Sequence, residues 1–398
     1  MTVNPNIYLG LDIGSTRLSA ALCEISDADE LQLKGVGSYP SRGFEKGRIT
    51  DYEALKKGIH ETIAQAELDG NCSSNKVFLS ISSVYLTTFH HVGMLQSEDE
   101  SGQISYQDKI NVIKQSKNVA LPTDKLLLHA IPLVYKVDGV IVQNPVGVFG
   151  KKLEVQTYLI LVYTDVIQNL KSILNFLGYT IKGFVFDALA AGQIALLSKE
   201  RKEGAFLIEI GGSQTRVSLF KNDLLCHSWD VPIGGQLFSS DIATCLKVSF
   251  SEAERLKLLY GDVLTARVSA DEILDISSAD NSEKQIKRFL LSQILEARAK
   301  ELFGYIVSKV KLCSDPNYQI VLGGGGSLLK GLLDMSKQCL NSNSRDGLPD
   351  TVKGIIESST YSTAVGLVLY GLRTDAILYQ EVPYGIVERI KQWLRRFF

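Results

Sequence analysis

The sequence predicts an α/β protein made of two related halves, and three observations predict it. A strand interrupted by one carboxylate, a short glycine-containing turn and a returning strand occur twice, around Asp12 and around Glu209. The two copies lie about half a chain apart, and self-similarity at that spacing points to duplicated halves that face one another. Helical patterns alternate with the strands, which places the chain in the α/β class. At 398 residues it is too long for one hydrophobic core and suits two to four subdomains.

The elements follow in order. Residues 7–13 form a nearly continuous apolar strand broken by Gly10 and Asp12; Gly14-Ser15-Thr16-Arg17 then turns the chain into a second strand at 18–22. Asp51 is placed to cap a helix whose apolar stripe is Leu55, Ile59 and Ile63, with Gly70 as its stop. Residues 84–163 read as an inserted α+β unit, with strands at 84–92, 126–137 and 153–163 and a helix at 106–118. Residues 205–210 repeat the first strand, with Glu209 as its carboxylate, and the return strand follows at 217–220. Side by side, the two are Leu-Asp-Ile-Gly-Ser-Thr-Arg and Ile-Glu-Ile-Gly-Gly-Ser-Gln-Thr-Arg, which share Ile-Gly and the closing Thr-Arg. Residues 251–260 and 284–312 read as helices, the second with a break at Gly304, and residues 341–350, with Gly347 and Pro349, as a surface loop.

Composition narrows the function classes. A net charge of -2 leaves no global basic field for nucleic acid, so no nucleic-acid partner is expected. The six cysteines form no CxxC pair, which argues against zinc and disulfides and for mostly buried, reduced thiols. His90 and His91 are adjacent and on a strand point to opposite faces, which is no metal spacing. The first apolar run is interrupted by Asp12 without a basic region before it, unlike a signal peptide, and the other apolar runs are too short to span a bilayer.

A buried carboxylate is costly unless paired or solvated. Two readings of Asp12 stand: it orients water around Mg²⁺ while the backbone N–H groups of Gly14 to Arg17 hold phosphate oxygens, or it caps a turn. The second loop, Gly211-Gly212-Ser213-Gln214-Thr215, repeats the pattern, and Glu209 joins Asp12 as a carboxylate acting on Mg²⁺ through water. A third segment runs from the strand 320–322 into Gly323-Gly324-Gly325-Gly326-Ser327, with a helix expected from Leu328. Strand, glycine run and helix start suit nucleotide contact. This is neither a Walker loop nor a dinucleotide fingerprint.

The end of the chain carries a different signal. At about 100° per residue, Ile386, Val387, Ile390, Trp393, Leu394, Phe397 and Phe398 fall within an arc of roughly 140°. Glu388, Arg389, Lys391, Gln392, Arg395 and Arg396 fill the rest. Basic side chains opposite an aromatic face suit a helix lying in the surface of an anionic membrane; docking on the protein itself is the other reading. A single tail binds weakly, and assembly raises avidity.

With these motifs the chain resembles the actin, Hsp70 and sugar-kinase superfamily: residues 10–17 and 208–219 match its two phosphate motifs, 321–329 its adenosine motif and 361–371 its second connecting helix. Within it the chain is similar to the FtsA family of bacterial cell-division proteins. The matching stretches are PSRGFEKGRITDYEAL at 40–55, ALPTDKLLLHAIP at 120–132, NPVGVFGKKLEV at 144–155, FVFDALAAGQIAL at 184–196 and SEAERLKLLYG at 251–261. The resemblance implies an actin-like fold in which an inserted subdomain, 1C, replaces actin's usual second subdomain. It places subdomain 1A at 1–83 and 164–203, 1C at 84–163, 2A at 204–233 and 311–375, 2B at 234–310, a linker at 376–383 and the amphipathic helix at 384–398.

The resemblance also implies ATP and Mg²⁺. Carried over by position, Asp12, Gly14, Ser15, Thr16 and Arg17 line the phosphates from one half, and Glu209, Gly211, Gly212, Ser213, Gln214 and Thr215 from the other. Gly323, Gly324, Gly325 and Ser327 face the adenosine, with Gly235, Glu254 and Lys257 toward the ribose or base. Asp187 stands where relatives carry a water-positioning acid. Glu209, Ser213 and Arg216 depart from the family's Asp-x-Gly-Gly-Gly-Thr-Thr-Asp, and Arg216 puts positive charge where an acid is expected. Phosphate binding with slow turnover or none follows. Further implied are filaments on the cytoplasmic face of the inner membrane at the division site, which tether the tubulin-like FtsZ. Its C-terminal peptide docks on 2B, where Lys284, Lys287 and Arg288 form a basic side. The rivals are a PilM-like pilus scaffold, which shares VPIGGQLFSSDI at 231–242, and a small-metabolite kinase.

Overall fold

The structure, a computed structural model, describes residues 6–25, 31–45, 48–82, 85–97, 102–278, 282–310, 318–347 and 359–373. The chain opens with β1 (Ile7–Ile13), β2 (Arg17–Ile25), β3 (Leu31–Pro40), two short strands β4 (Phe44–Glu45) and β5 (Arg48–Ile49), α1 (Tyr52–Gly70) and β6 (Lys76–Ile81). A side unit follows: β7 (Leu86–Gln96), α2 (Tyr106–Ser116), β8 (Lys125–Val137), β9 (Val140–Val142) and β10 (Lys152–Tyr163). The chain then returns through α3 (Thr164–Phe176), β11 (Thr180–Phe186), α4 (Asp187–Ala195) and α5 (Ser198–Glu203).

The first sheet has the order β11-β6-β1-β2-β3. Its central strands are apolar on both faces because helices cover both. On one side lies α1, capped by the Asp51 side chain accepting from the Ala54 N–H at 3.0 Å. Leu55, Ile59 and Ile63 of α1 are buried, each contributing about 1.5–3 kcal/mol. Its end falls one residue past Gly70, at Asn71 with φ 45°.

The side unit is a sheet of order β7-β10-β8-β9 with its own core of Ile104, Val112, Ile113, Tyr135, Val137, Leu153 and Val155. His90 and His91 do face opposite ways: His91 Nδ1 meets the Ser116 carbonyl of α2 at 3.0 Å, and His90 Nε2 meets the Cys226 carbonyl at 3.0 Å.

The second half contains β12 (Ala205–Ile210), β13 (Thr215–Lys221), β14 (Leu224–Val231), α6 (Gly235–Leu246), α7 (Phe250–Tyr260), β15 (Ile273–Ser277), β16 (Glu283–Lys287), α8 (Arg288–Val310), β17 (Gln319–Gly323), α9 (Leu332–Leu340), β18 (Arg345–Asp346) and α10 (Ser362–Arg373). Its sheet, β14-β13-β12-β17-β18, repeats the plan of the first: a hairpin flanked by a parallel strand. Although it comes last, α10 packs on the first half. Gly10 of β1 lies against the Ala364 carbonyl and Gly366 against the Ala190 carbonyl of α4, so close that a Cβ at either glycine would overlap backbone.

Several expectations are corrected. Residues 283–287 are a strand, because Ile286 points inward opposite Leu274 while its neighbours stay in water. The helix after it runs unbroken through Gly304, which faces open space. After the glycine run, residues 325–328 make a 3₁₀ turn and Gly331 takes φ 81°, so the helix starts at Leu332 rather than Leu328. Within the expected loop 341–350, Arg345 and Asp346 pair with β17, and Arg345 Nε donates to Glu200 at 2.7 Å. Of the five described cysteines, all free thiols, only Cys23 is buried and Cys245 is exposed. The linker 376–383 and the helix 384–398, with its membrane-facing residues, lie outside the described residues. Among the described residues no helix is long and apolar enough to cross a membrane.

Candidate functional site

Two hairpins meet where the halves adjoin. In the first turn the Gly14 N–H donates to the Arg17 carbonyl at 3.1 Å, and in the second the Gly211 N–H donates to the Gln214 carbonyl at 2.9 Å. Below the turns Asp12 pairs with Ser19 and Ile13 with Leu18, and Glu209 pairs with Arg216 and Ile210 with Thr215. Both loops therefore hold four residues. Turn for turn, Arg17 corresponds to Gln214 and Ser19 to Arg216; the shared Thr-Arg ending is not in structural register.

The tips touch. A Cβ on Gly212 would overlap the side chain of Thr16, so glycine is what lets the second turn close on the first. The start of α6 holds that turn from behind: the N–H groups of Gly235 and Gln236 donate to the Gly211 and Gly212 carbonyls, both at 2.8 Å. Lys257 Nζ then donates to the Gly235 carbonyl at 3.0 Å, Ser239 Oγ at 2.8 Å and the Glu254 carboxylate at 2.8 Å. Three residues apart on α7, Glu254 and Lys257 thus stand beside the second turn.

The third segment joins them. Gly323 is the parallel neighbour of Glu209. Gly324 sits at φ 78° against the backbone of Ile210, a conformation and a contact that exclude a side chain. Gly325 faces open space. Two of the expected ligand residues also bond internally: the Thr215 hydroxyl donates to the Ile233 carbonyl at 2.6 Å, and Ser327 Oγ donates to the Gly324 carbonyl at 2.8 Å. Of the basic residues expected on 2B, Lys284 donates to the Leu246 carbonyl at 2.6 Å and Arg288 to Glu272 at 2.9 Å, while Lys287 is exposed.

Charge at the floor of the seam is unusual. Arg216 is 6% exposed. Its Nη1 is bonded to Asp187, Nε lies 3.3 Å from Asp230, and the guanidinium stands 5.1 Å from the Phe186 ring centre. Asp187 opens α4 in the first half, so this ion pair crosses the seam. Burial opposes the Arg216 charge, but Asp187 and Asp230 outweigh it and keep it protonated. Burial raises Asp12 to about 6, against the bond from the Ser80 hydroxyl. It raises Glu209 to about 8, against the attraction of Arg216. Glu209 Oε2 is buried without a hydrogen-bond partner. Burial raises Asp187 too, with Arg216 pulling the other way.

From the side unit His129 fixes this arrangement. Its Nε2 accepts from the Phe186 N–H at 3.0 Å, directly before Asp187, and burial lowers the ring to about 3, so it stays a neutral acceptor. Sequence reasoning missed His129, Ser80 and Asp230. The available signal for His129 and Ser80 is that each interrupts an apolar run, in LLLHAI and VFLSI; Asp230, in LLCHSWDV, has polar neighbours and carries no such signal.

A divalent cation expected at Asp12 and Glu209 meets that guanidinium. Asp187 and Asp230 are already paired with Arg216. Among the described residues no three His, Cys, Asp or Glu side chains converge on one point. The residues present do not fit magnesium.

A family model described as cell division protein FtsA matches residues 206–366, and one described as the SHS2 domain inserted in FTSA matches 84–161. Cell division protein FtsA of Escherichia coli K12 is 28% identical over 416 residues, covering 98% of each chain. That of Borreliella burgdorferi is 29% identical over 376 residues, covering 92% of this chain and 91% of that one. Among solved structures, the PilM-PilN type IV pilus biogenesis complex matches with a TM-score of 0.65 at 18% identity, covering 92% of this chain and 99% of that one. MreB5 of Spiroplasma citri bound to ADP matches at 0.56 and 11% identity, covering 93% and 98%. The fold is thus the actin-like one with an inserted unit. With relatives aligned almost end to end and two models of one family matched in its order, the chain belongs to the FtsA family of cell-division proteins.

Proposed function

We propose that the chain binds ATP at the seam, assembles into filaments on the cytoplasmic face of the inner membrane at the division site, and tethers FtsZ there. The observation that carries the nucleotide reading is the contact of the two four-residue glycine turns at Thr16 and Gly212. Turn N–H groups clustered from both halves suit a polyphosphate. Gly14, Ser15, Thr16 and Arg17 act from one side and Gly211, Gly212, Ser213 and Gln214 from the other. Gly323, Gly324 and Gly325, with Gly235, Glu254 and Lys257, take the nucleoside end. Asp187 is held by Arg216, which supports slow turnover or none. The amphipathic sequence pattern of 384–398 supports membrane attachment, through Ile386, Val387, Ile390, Trp393, Leu394, Phe397 and Phe398 in the acyl boundary and Arg389, Lys391, Arg395 and Arg396 at the headgroups. FtsZ is assigned to the 2B region, with Lys287 as its exposed basic contact.

Flotation of anionic liposomes tests this reading. With FtsZ and ATP present, the full chain carries FtsZ to the lipid, and a chain ending at Val382 leaves both in solution. Equal flotation of the two chains refutes membrane attachment by the tail; a floating chain that leaves FtsZ behind refutes tethering.

A further inference from the structure

The chain's departure at Arg216 reaches beyond slow turnover. The residue lies two positions past the second phosphate turn, on β13, and its neighbour across the ladder is Glu209 of β12, the carboxylate that mirrors Asp12. Its side chain does not leave the seam for solvent. It runs across it to Asp187 at the start of α4 and comes within 3.5 Å of Ser82 Oγ beyond β6. The guanidinium therefore lies between the halves, below the two turns, bonded to Asp187 and Asp230, and its residue stands across the ladder from Glu209. Guanidinium keeps its charge at every accessible pH and its planar fork matches phosphate oxygens. Asp187, Asp230 and the Phe186 face hold it in place.

We infer that Arg216 is a built-in cation that takes the part of a divalent metal, so that the site accepts a nucleoside triphosphate with no accompanying metal ion. A metal-dependent site of this plan uses carboxylates to recruit a cation, and the cation to neutralise phosphate. Here the second role is filled by a side chain, and two of the carboxylates that would recruit a metal, Asp187 and Asp230, are already paired with it. Asp187 and Asp230 then serve as positioning residues for the guanidinium. The same pairing takes Asp187 away from any incoming water, so a metal-free site and a slow one have a single cause. This inference rests on the nucleotide reading above and specifies the form in which the nucleotide is bound.

Isothermal titration of the full chain with ATP, in excess Mg²⁺ and again in excess EDTA, tests it. The expected result is an affinity that agrees within about threefold between the two buffers. For Arg216→Gln, with folding checked by circular dichroism, binding falls about tenfold or more in EDTA and recovers in Mg²⁺, because removal of the guanidinium reopens the acids to a metal. Loss of wild-type binding by tenfold or more in EDTA, with binding intact in Mg²⁺, overturns the inference and leaves the nucleotide reading standing. Absence of binding in both buffers overturns both. If Arg216→Gln fails to fold, the wild-type comparison decides alone. If it folds and binds like wild type in EDTA, the role given to Arg216 is wrong.

Discussion

The two hairpins are one design carried to different ends. Each has a carboxylate one residue before the strand ends, a four-residue turn opened by glycine, and an apolar return strand. Opposite Asp12 stands Ser19; opposite Glu209 stands Arg216. The first turn ends in Arg17, which is exposed and reaches no farther than Ser38 Oγ at 3.0 Å. The second hairpin buries its arginine one step into the ladder and sends it across to the other half. The difference teaches that an arginine's effect depends on which rung it occupies: on the turn it is a solvated side chain, and two residues later it is a buried charge held by Asp187 and Asp230.

The contrast is broken most directly at Arg216. Arg216→Ala leaves the partly buried Asp187 without its ion pair and is expected to destabilise by about 2–3 kcal/mol in urea unfolding, below the range for a fully buried pair. Replacing both by apolar residues of similar size recovers most of that loss. A loss no larger than that of a surface arginine would show that the pair is not formed in solution. The contact between the tips comes next. Gly212→Ala forces a methyl group into Thr16 and is expected to cost about 1–3 kcal/mol. Adding Thr16→Ala should return part of it, and strictly additive losses would show that the tips do not meet.

The two acids separate in their pH response. Asp12 and Glu209 have folded values raised by burial to about 6 and about 8, from ordinary values of 3.8 and 4.5. A raised acid holds its proton in the folded state after the unfolded chain has released it. Its stabilisation is complete below the ordinary value and is lost as pH rises through the folded one. Stability of the nucleotide-free protein should therefore fall from about pH 4 to about pH 8, and the part above about pH 6 belongs to Glu209. Glu209→Gln should flatten that upper window by about 1–2 kcal/mol, while Asp12→Asn flattens only the lower one. The smallest effect is expected at Arg17→Ala, within about 0.5 kcal/mol by thermal unfolding.

Much of this was legible in the residues. A carboxylate in an apolar run followed by glycine marks both hairpins, and Asp51, Leu55, Ile59 and Ile63 place α1 as the structure has it. The register of the second hairpin was not legible. Thr-Arg closes both motifs in the letters, and only the ladder shows that Arg216 stands opposite the carboxylate. Residues 283–287 misled for a related reason: one inward isoleucine among polar neighbours satisfies a helix or a strand equally, and pairing with β15 decides. His129 could not have been placed, since the Phe186 N–H it binds lies 57 positions away.

The last described helix has a mechanical consequence. With Gly10 and Gly366, α10 is wedged backbone to backbone between β1, which carries Asp12, and α4, which begins at Asp187. At Gly10 and at Gly366 no side chain separates the two backbones, so a displacement of α10 by even an ångström must shift one of those elements or separate from it. Load applied to the chain beyond Arg373 is therefore delivered to the floor of the seam through rigid contacts, as through the shaft of a lever.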